Sequence, residues 1–328
     1  MKKYSLAIVG ATGLVGRTFL SLLEESHFPI KTIRLFASKK SVGKTFVIQK
    51  KKVVVQTLSE HAFDHMDVVF FSAGSEIAKI WAPKAVQKGA LVIDNSSYFR
   101  NEREIPLVVP EINFAAIQDA KIIANPNCST IPCMAPLFLL HQLFHLKLVH
   151  YATYQSVSGS GQKGLEELQE VRNGAIPLVY PYSIAKTVIP EIGKESTNHF
   201  TEEEMKMVHE TRKILHLPSL EVSATCVRVP VPRGHSVEVY AQCEKPVDIS
   251  KWKEALSSFP GIQLCDDLKN HLYPHVDSLL STDDIAVGRI RIHPQNPRIV
   301  LFFVAVDNIR KGAAGNAFQI LIKLLKLK

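Results

Sequence analysis

The sequence is poor in cysteine, and the few cysteines it has exclude two kinds of scaffold. They form an odd set of five without CxxC spacing, which argues against both a disulfide framework and a structural zinc site. The set is Cys128, Cys133, Cys226, Cys243 and Cys265. We therefore expect a reducing compartment, the cytoplasm.

Long apolar runs are also missing. The longest clean run, Ile299 to Val306, has eight residues, whereas a helix that crosses a bilayer needs about 20. Near the start, Gly10 interrupts the apolar residues too early for the apolar core of a signal peptide. The sequence thus predicts no membrane partner.

The histidines are numerous, but they do not have the spacing of a metal site. The thirteen histidines include no HExxH motif, and the His61/His65 and His271/His275 pairs lack a third ligand nearby in sequence, so solvated histidines are favoured over a metal site. The net charge is +8. Such a charge suits nucleic acid or small anionic ligands. Because the basic residues are not interleaved with aromatics, we expect no nucleic-acid partner.

The first part of the chain has the pattern of a parallel sheet. Its length of 328 residues favours two domains. Through about residue 125, short apolar runs alternate with helical patterns, which is typical of βαβ units. The expected strands are 4–9, 32–37, 53–56, 68–72, 91–94 and 122–124, and the expected helices are 14–26 and 77–87. This order predicts an α/β fold with a Rossmann-type doubly wound domain.

After residue 128 the pattern changes to strands that alternate apolar and polar residues. Alternation is typical of a sheet with one solvated or ligand-facing side. The expected strands are 151–157, 223–229, 237–242 and 299–306, and the expected helices are 131–144, 163–173, 202–215, 250–258 and 313–327. We predict an α+β domain with a mixed or antiparallel sheet, followed by a helix that returns to the first domain.

A glycine-rich segment lies between the first expected strand and the first expected helix. It reads Gly10-Ala-Thr-Gly13-Leu-Val-Gly16. Glycines there permit a tight turn and close approach of a pyrophosphate, and the helix N-terminus offers unpaired N–H groups to phosphate. The context favours dinucleotide binding over a merely structural turn.

The end of the second expected strand indicates which dinucleotide binds. An NAD site usually offers a carboxylate there to the ribose hydroxyls, but the sequence reads Ala37-Ser38-Lys39-Lys40-Ser41. Hydroxyl and ammonium groups suit a 2′-phosphate, so the segment predicts NADP. The alternative is a solvated lysine pair.

Cys128 is a candidate nucleophile. The segment Asn125-Pro-Asn127-Cys128-Ser-Thr130 follows an expected strand and precedes an apolar helical run. A helix N-terminus favours thiolate and can hold a neighbouring oxyanion. A cysteine and a dinucleotide fingerprint together indicate an aldehyde dehydrogenase that works through a thioester.

The motifs together resemble the aspartate-β-semialdehyde dehydrogenase family over essentially the whole chain. The matching segments occur in the family's order. They are GATGLVG at 10–16, DNSSYFR at 94–100, NPNCST at 125–130, YQSVSGSG at 154–161, ETRK at 210–213, CVRVPV at 226–231 with His235 after it, and DNIRKGA at 307–313. The sequence departs from the family's pattern at 184–187 and at Lys163, which affects local loop geometry and no named catalytic position.

The resemblance implies a reaction and a role for each matching residue. NADPH would reduce L-aspartyl 4-phosphate to aspartate semialdehyde through a thioester on Cys128, with His235 as acid/base and Gln155 positioning substrate and intermediate. The substrate contacts would be Arg228 for the α-carboxylate, Glu210 for the ammonium, Arg100 and Lys213 for phosphate, and Asn127. The cofactor contacts would be Gly10, Thr12, Gly13, Leu14, Val15, Gly16, Ser38, Lys39, Lys40, Ser41, Ser72, Ala73, Gly74, Asn95, Ser158, Gly159 and Asn308.

The resemblance also implies how the chain is divided and assembled. Residues 1–127 with 308–328 would form the dinucleotide-binding domain, and 128–307 the catalytic and dimerisation domain. We expect a homodimer, with a tetramer of paired dimers as the alternative. The semialdehyde would feed lysine, diaminopimelate, threonine and methionine biosynthesis.

Other interpretations remain for the single residues and for the whole chain. From spacing alone, Glu210 and Lys213 are a solvated helical ion pair, Arg228 is a strand-edge charge and His235 is a loop tip. The enzymatic alternative is N-acetyl-glutamyl-phosphate reductase, although a site for an acylated amine has no use for a carboxylate that binds ammonium. Glyceraldehyde-phosphate dehydrogenase has a different cysteine motif. A non-catalytic homologue that binds a partner through its basic surface is the alternative from another class.

Overall fold

The structure is a computed structural model, and it describes residues 2–326. Contacts divide the chain into two units: Met1–Pro126 with Ala313–Lys328, and Asn127–Gly312. The division into domains at 127 and 307 stays a prediction. In the part of the chain that is described, no helix is long and apolar enough to cross a bilayer.

The first unit is built on a sheet with the strand order β3-β4-β2-β1-β5-β6-β7. Its strands are β1 (Tyr4–Val9), β2 (Ile30–Phe36), β3 (Thr45–Ile48), β4 (Lys51–Gln56), β5 (Val68–Phe71), β6 (Leu91–Asp94) and β7 (Ile122–Ala124). Its helices are α1 (Leu14–Glu25), α2 (Ser75–Gln87) and α7 (Asn316–Leu324). All pairings are parallel except that of β3 with β4.

The parallel sheet forms where the sequence has short, wholly apolar segments. Every residue of β1 is buried, as expected for a central strand covered on both faces. From β1 the chain order runs outward in both directions, to β2 on one side and β5 on the other. The buried face of α1 packs onto the sheet, where Phe19 stacks on Phe70 with ring centroids 4.1 Å apart. The predicted doubly wound domain is confirmed.

The second unit contains a mixed sheet with the order β11-β12-β13-β10-β8-β9. Its strands are β8 (Leu146–Gln155), β9 (Glu221–Arg228), β10 (His235–Cys243), β11 (Ile262–Leu264), β12 (Ile285–His293) and β13 (Asn296–Val306). Its helices are α3 (Ile131–Phe144), α4 (Gln162–Arg172), α5 (Glu202–Leu215) and α6 (Ile249–Ser258). The β8–β9 and β11–β12 pairs are parallel and the others antiparallel. A mixed sheet was one of the two predicted forms.

Two helices of this unit matter for the site. Helix α3 is apolar almost all round and is buried, as a core helix should be. Helix α5 packs against β9 and starts with a capping box, in which Thr201 and Glu204 satisfy each other's backbone N–H groups.

Most predicted elements are present, and the differences have local causes. Strand β3 was missed because it is a short edge strand in a lysine-rich hairpin with few buried residues. Strand β12 was missed because its register shifts after Gly288, beside Arg289 with its positive φ of 54°. A π-helical turn at Arg310–Gly315 precedes α7, which therefore starts later than predicted. The predicted end of that helix, Leu327, lies outside the described residues.

Candidate active site

Three predicted site residues form a row across neighbouring strands. Strand β8 ends at Gln155, β9 ends at Arg228, and β10 begins at His235. The register pairs Gln155 with Arg228 on one side and with His235 on the other. Because directly paired residues point to the same face about 5 Å apart, the three side chains emerge together.

Cys128 lies in the turn that opens helix α3. The Asn127 carbonyl accepts from Thr130 N and Ile131 N at 3.0 Å each, and Asn127 Oδ1 accepts from Ser129 N at 2.7 Å. Helical hydrogen bonding therefore starts at Asn127, which caps the turn and leaves Cys128 at its first position. The helix dipole there favours negative charge on sulfur or on a neighbouring oxygen.

A glycine keeps space beside the cysteine. A Cβ atom added at Gly312 would lie 3.3 Å from Cys128 Cβ and 3.2 Å from its carbonyl oxygen. Those distances are tight, so a side chain at 312 would press on the Cys128 turn.

His235 is buried and held in one tautomer. Its Nδ1 lies 3.0 Å from Ser156 N, and since a backbone N–H can only donate, Nδ1 accepts and the proton lies on Nε2. Burial, and then the positive charge of Arg228, lower the pKa of His235 from 6.5 to about 3. Across residues 2–326, no hydrogen-bond partner exists for buried Nε2. A neutral imidazole with an unused N–H donor is thus fixed in the row.

The Arg228 guanidinium is anchored through the same residue. Its Nη1 donates to the Ser156 carbonyl at 2.7 Å, so Ser156 holds both Arg228 and His235. Nε of Arg228 is buried and has no partner among the described atoms. A Cβ atom added at Gly159 would come within 2.6 Å of Arg228 Nη1, so only glycine leaves room for this placement.

Gln155 and Asn127 meet at a carboxylate that the sequence analysis did not single out. Gln155 Nε2 and Asn127 Nδ2 donate to Oε1 of Glu203 at 3.0 and 2.8 Å, and Gln155 Nε2 also donates to Ser129 Oγ. Within the described chain, Gln155 Oε1 is buried without a partner. The contact with Ser129 joins the strand row to the Cys128 turn.

Glu210 and Lys213 lie on α5, as predicted. Glu210 is buried, and its Oε2 accepts from Asn127 N at 2.6 Å, so its charge faces the start of the Cys128 turn. Lys213 is in the last turn of α5 and half-buried. The side chain of Asn127 contacts Glu203 and Ser129 N, which gives it a part in holding the turn.

The first unit contains the predicted glycine segment and Arg100. A Cβ atom at Gly10, whose φ is +90°, would lie 2.3 Å from Ser72 O, and one at Gly16 would lie 2.2 Å from Gly10 O. Thr12 Oγ1 contacts Ser41 Oγ at 3.3 Å. Buried Arg100 donates through Nε to Ser96 O and through Nη2 to Asn95 O, each at 3.0 Å.

The residues around the glycine segment fit an anionic ligand. Helix α1 starts at Leu14 without a side-chain cap or an acid in its first turn, so its N–H groups face no competing carboxylate. Lys39 and Lys40 are exposed on a short 3₁₀ turn after β2. Ser72, Ala73 and Gly74 follow β5, the strand beside β1.

Three further predicted cofactor residues, Ser158, Gly159 and Asn308, belong to the second unit. Ser158 Oγ contacts Ser156 Oγ at 2.9 Å and Asn308 Oδ1 at 3.2 Å, while Gly234 N donates to Asn308 Oδ1 at 2.8 Å. These contacts support the segment around His235. In residues 2–326, no group of three or more His, Cys, Asp or Glu side chains has the arrangement of a metal site.

Sequence reasoning missed Ser156, Glu203 and Gly312. For Glu203 a signal existed: two Glu–Lys pairs of i,i+3 spacing, Glu203–Lys206 and Glu210–Lys213, repeat after seven residues and so share one face of α5. For Ser156 the main contacts are made by backbone atoms, which the residue type does not reveal.

Comparisons with known proteins identify semialdehyde dehydrogenases over nearly the whole chain. The profile described as semialdehyde dehydrogenase, NAD binding domain, matches residues 5–120, and the profile described as semialdehyde dehydrogenase, dimerisation domain, matches residues 135–311. The aspartate-semialdehyde dehydrogenase of Campylobacter jejuni is 45% identical and aligns over 100% of this chain and 99% of its own. That of Legionella pneumophila is 44% identical, over 96% of this chain and 94% of its own.

Solved structures show the same likeness. Aspartate semialdehyde dehydrogenase II of Vibrio cholerae, complexed with ASA, superposes with a TM-score of 0.94 at 39% identity, over 99% of both chains. The Candida albicans enzyme with NADP has a TM-score of 0.78 at 25% identity, over 98% of this chain and 99% of its own.

Proposed function

The chain belongs to the aspartate-semialdehyde dehydrogenase family, and we propose from this membership how its residues perform the family's reaction. The enzyme reduces L-aspartyl 4-phosphate to L-aspartate 4-semialdehyde with release of phosphate, and it serves amino-acid biosynthesis. The observation that carries the assignment of roles is the Cys128 turn, joined by the Gln155–Ser129 contact to the row of Gln155, Arg228 and His235.

Cys128 is the nucleophile. Its sulfur attacks the acyl carbon of the substrate, a C–S bond forms, and the bond to the phosphate oxygen breaks, which leaves a thioester. NADPH, when bound, supplies the hydride that reduces the acyl carbon. The C–S bond then breaks, the aldehyde leaves, and the sulfur returns to its starting state.

His235 is the acid/base of the reaction, and it acts through its Nε2 proton. Because Nδ1 accepts from Ser156 N, the neutral ring presents an N–H donor to the oxygen of the reacting carbonyl. Negative charge develops on that oxygen both when sulfur attacks and when hydride arrives. The low pKa of His235, caused by burial and then by Arg228, keeps the ring neutral before the reaction.

The remaining charges match the groups of the substrate. Arg228 binds the α-carboxylate, since its buried Nε has no other partner in the described chain. Glu210 receives the ammonium, and Arg100 and Lys213 hold the phosphate. Gln155 positions the substrate and the thioester through its Oε1, which is likewise buried without a described partner.

The first unit binds NADP. The Gly10 to Gly16 segment packs so closely that a Cβ atom at Gly10 would clash with Ser72 O, and it leads into the uncapped start of α1, whose N–H groups suit a pyrophosphate. No acid follows β2, where exposed Lys39 and Lys40 and the Ser38 and Ser41 hydroxyls suit a 2′-phosphate. The other cofactor contacts carried over from the family are Thr12, Gly13, Leu14, Val15, Ser72, Ala73, Gly74 and Asn95 in the first unit, and Ser158, Gly159 and Asn308 in the second.

Assembly and location are proposed from the family and from the chemistry. The second unit matches a dimerisation domain, so the chain forms a homodimer through it, with a tetramer of dimers as the finer alternative. Light scattering coupled to gel filtration distinguishes these states. The cytoplasm is the proposed compartment because the reaction requires a reduced thiol.

A substrate comparison tests the assignment. We expect the enzyme to form NADPH from aspartate semialdehyde, NADP and phosphate, and to remain inactive with N-acetylglutamate semialdehyde. The formation of NADPH is measured by its absorbance. The semialdehyde then feeds lysine, diaminopimelate, threonine and methionine biosynthesis. An enzyme that prefers the N-acetylated substrate would instead be the reductase of the acylated amino acid, and the role of Glu210 would be wrong.

A further inference from the structure

Glu203 is a buried carboxylate between two parts of the site, and no step described above uses it. Its side chain lies on α5, one turn before Lys206 and two turns before Glu210. Oε1 accepts from Gln155 Nε2 at 3.0 Å and from Asn127 Nδ2 at 2.8 Å, whereas Oε2 accepts from Lys206 Nζ at 3.0 Å. One carboxylate thus holds the amide of the strand row and the amide that caps the Cys128 turn.

The direction of the Gln155 amide depends on this contact. An amide has a donor end and an acceptor end of nearly the same shape, and only its hydrogen-bond partners decide which end points where. An ionised carboxylate accepts only, so it selects Nε2. Gln155 Oε1 then points away from Glu203, and it is the end that the described chain leaves without a partner.

Glu203 stays ionised despite burial. Burial alone would raise the pKa of its carboxyl group, but the charge of Lys206 and the hydrogen bonds from Gln155, Asn127 and Lys206 outweigh burial and hold the pKa at about 2. The carboxylate is therefore ionised near neutral pH, and it accepts hydrogen bonds but donates none.

We propose that Glu203 is a positioning residue for this reaction: it fixes the Gln155 amide with Oε1 toward the substrate and ties the Asn127 cap, and with it Cys128, to helix α5. This inference rests on the proposed function, because it assigns a task to Gln155 and Cys128. The substrate side that Oε1 meets must offer a donor, and the ammonium of the aspartyl group does so.

The adjacent Glu204 provides a matched control. It is also buried, at 8% exposure against 7% for Glu203, and it carries the same carboxyl group on the same turn. Its oxygens accept from Thr201 N and Cys226 N at 2.7 and 3.0 Å, so it caps the helix and joins it to β9. Glu204→Gln should lower stability and leave turnover of the folded enzyme unchanged.

The principal variant is Glu203→Gln, which keeps size and removes charge. A glutamine at 203 can donate as well as accept, so the Gln155 amide is no longer held in one direction. We expect kcat to fall about 10- to 100-fold, the range that a misplaced site group produces, while the Kd for NADP stays unchanged. A kcat equal to that of Glu204→Gln, measured on folded protein, would overturn the proposal.

Two further variants separate positioning from packing, and they also apply if Glu203→Gln does not fold. Glu203→Asp keeps the charge and loses a methylene. If Glu203 positions the site, the kcat of Glu203→Asp should exceed that of Glu203→Gln; if Glu203→Gln does not fold, the kcat should exceed that of Gln155→Ala. If Glu203 only fills space, Glu203→Asp should have the lower kcat. In a Gln155→Ala background, replacing Glu203 should lower kcat by a smaller factor than in the wild type, since its main target is gone. Equal factors in both backgrounds contradict the proposal. A wild type without activity would reject the proposed function itself, whereas an active wild type with these contrary results rejects only the role of Glu203.

Discussion

The tautomer and charge of His235 lead to a prediction about stability as well as catalysis. The ring is neutral when folded, because burial and the Arg228 charge lower its pKa from 6.5 to about 3. In the unfolded chain the ring regains its usual pKa and takes up a proton below about 6.5. Between these values the unfolded state binds more protons, so stability falls as the pH falls.

The magnitude follows from the difference between the two pKa values. Each unit of pH below 6.5 lowers the free energy of unfolding by about 1.4 kcal/mol, which gives about 2 kcal/mol at a pH of about 5. The full loss, reached below a pH of about 3, is about 5 kcal/mol. Above 6.5 the contribution is constant.

Denaturant unfolding at several pH values, compared between wild type and His235→Gln, measures this contribution. The variant cannot take up a proton at this position, so its stability should depend less on pH, by about 2 kcal/mol between a pH of about 7 and about 5. Equal pH dependence in both proteins would refute the assignment of a buried neutral ring. The same variant should lower kcat, since the Nε2 donor is lost.

Three further changes test other parts of the site. Gly159→Ala places a Cβ atom 2.6 Å from Arg228 Nη1, so the KM for aspartate semialdehyde should rise about tenfold or more; an unchanged KM would separate Arg228 from the α-carboxylate. Lys39→Ala with Lys40→Ala should raise the KM for NADP and leave that for NAD unchanged, and equal effects on both cofactors would contradict 2′-phosphate recognition. Gly10→Ala would put a Cβ atom 2.3 Å from Ser72 O, so the turn should shift and NADP binding measured by fluorescence should be lost, and retained binding would argue against the role proposed for this turn.

The sequence predicts best those elements whose apolar pattern fits only one type and one extent of secondary structure. Strands β1, β6 and β7 and helix α3 have the predicted bounds, because each is a mostly buried apolar run between polar or turn residues. Strand β12 could not be predicted this way, since the positive φ of Arg289 and the register shift beside it come from pairing with β13. The β3–β4 hairpin has alternation, but its lysines point to solvent and hide the pattern.

In the candidate site, residue types predict the chemistry, whereas only three-dimensional contacts explain what holds these residues in place. Gln155 is far from Arg228 and His235 in the sequence, and the row exists because β8, β9 and β10 pair in one register. Ser156 anchors two of them through its backbone N–H and carbonyl, groups that every residue has. From spacing alone, Glu203 is a solvated i,i+3 partner of Lys206, whereas the fold buries it against the amides of Gln155 and Asn127.

The thioester on Cys128 is the central claim, and trapping it is the most direct test. Without phosphate, semialdehyde and NADP should give a burst of about one equivalent of NADPH per chain, and mass spectrometry should find the aspartyl group on the Cys128 peptide. Cys128→Ala should give neither the burst nor the adduct. A burst in Cys128→Ala, or an adduct on another residue of the wild type, would contradict the account.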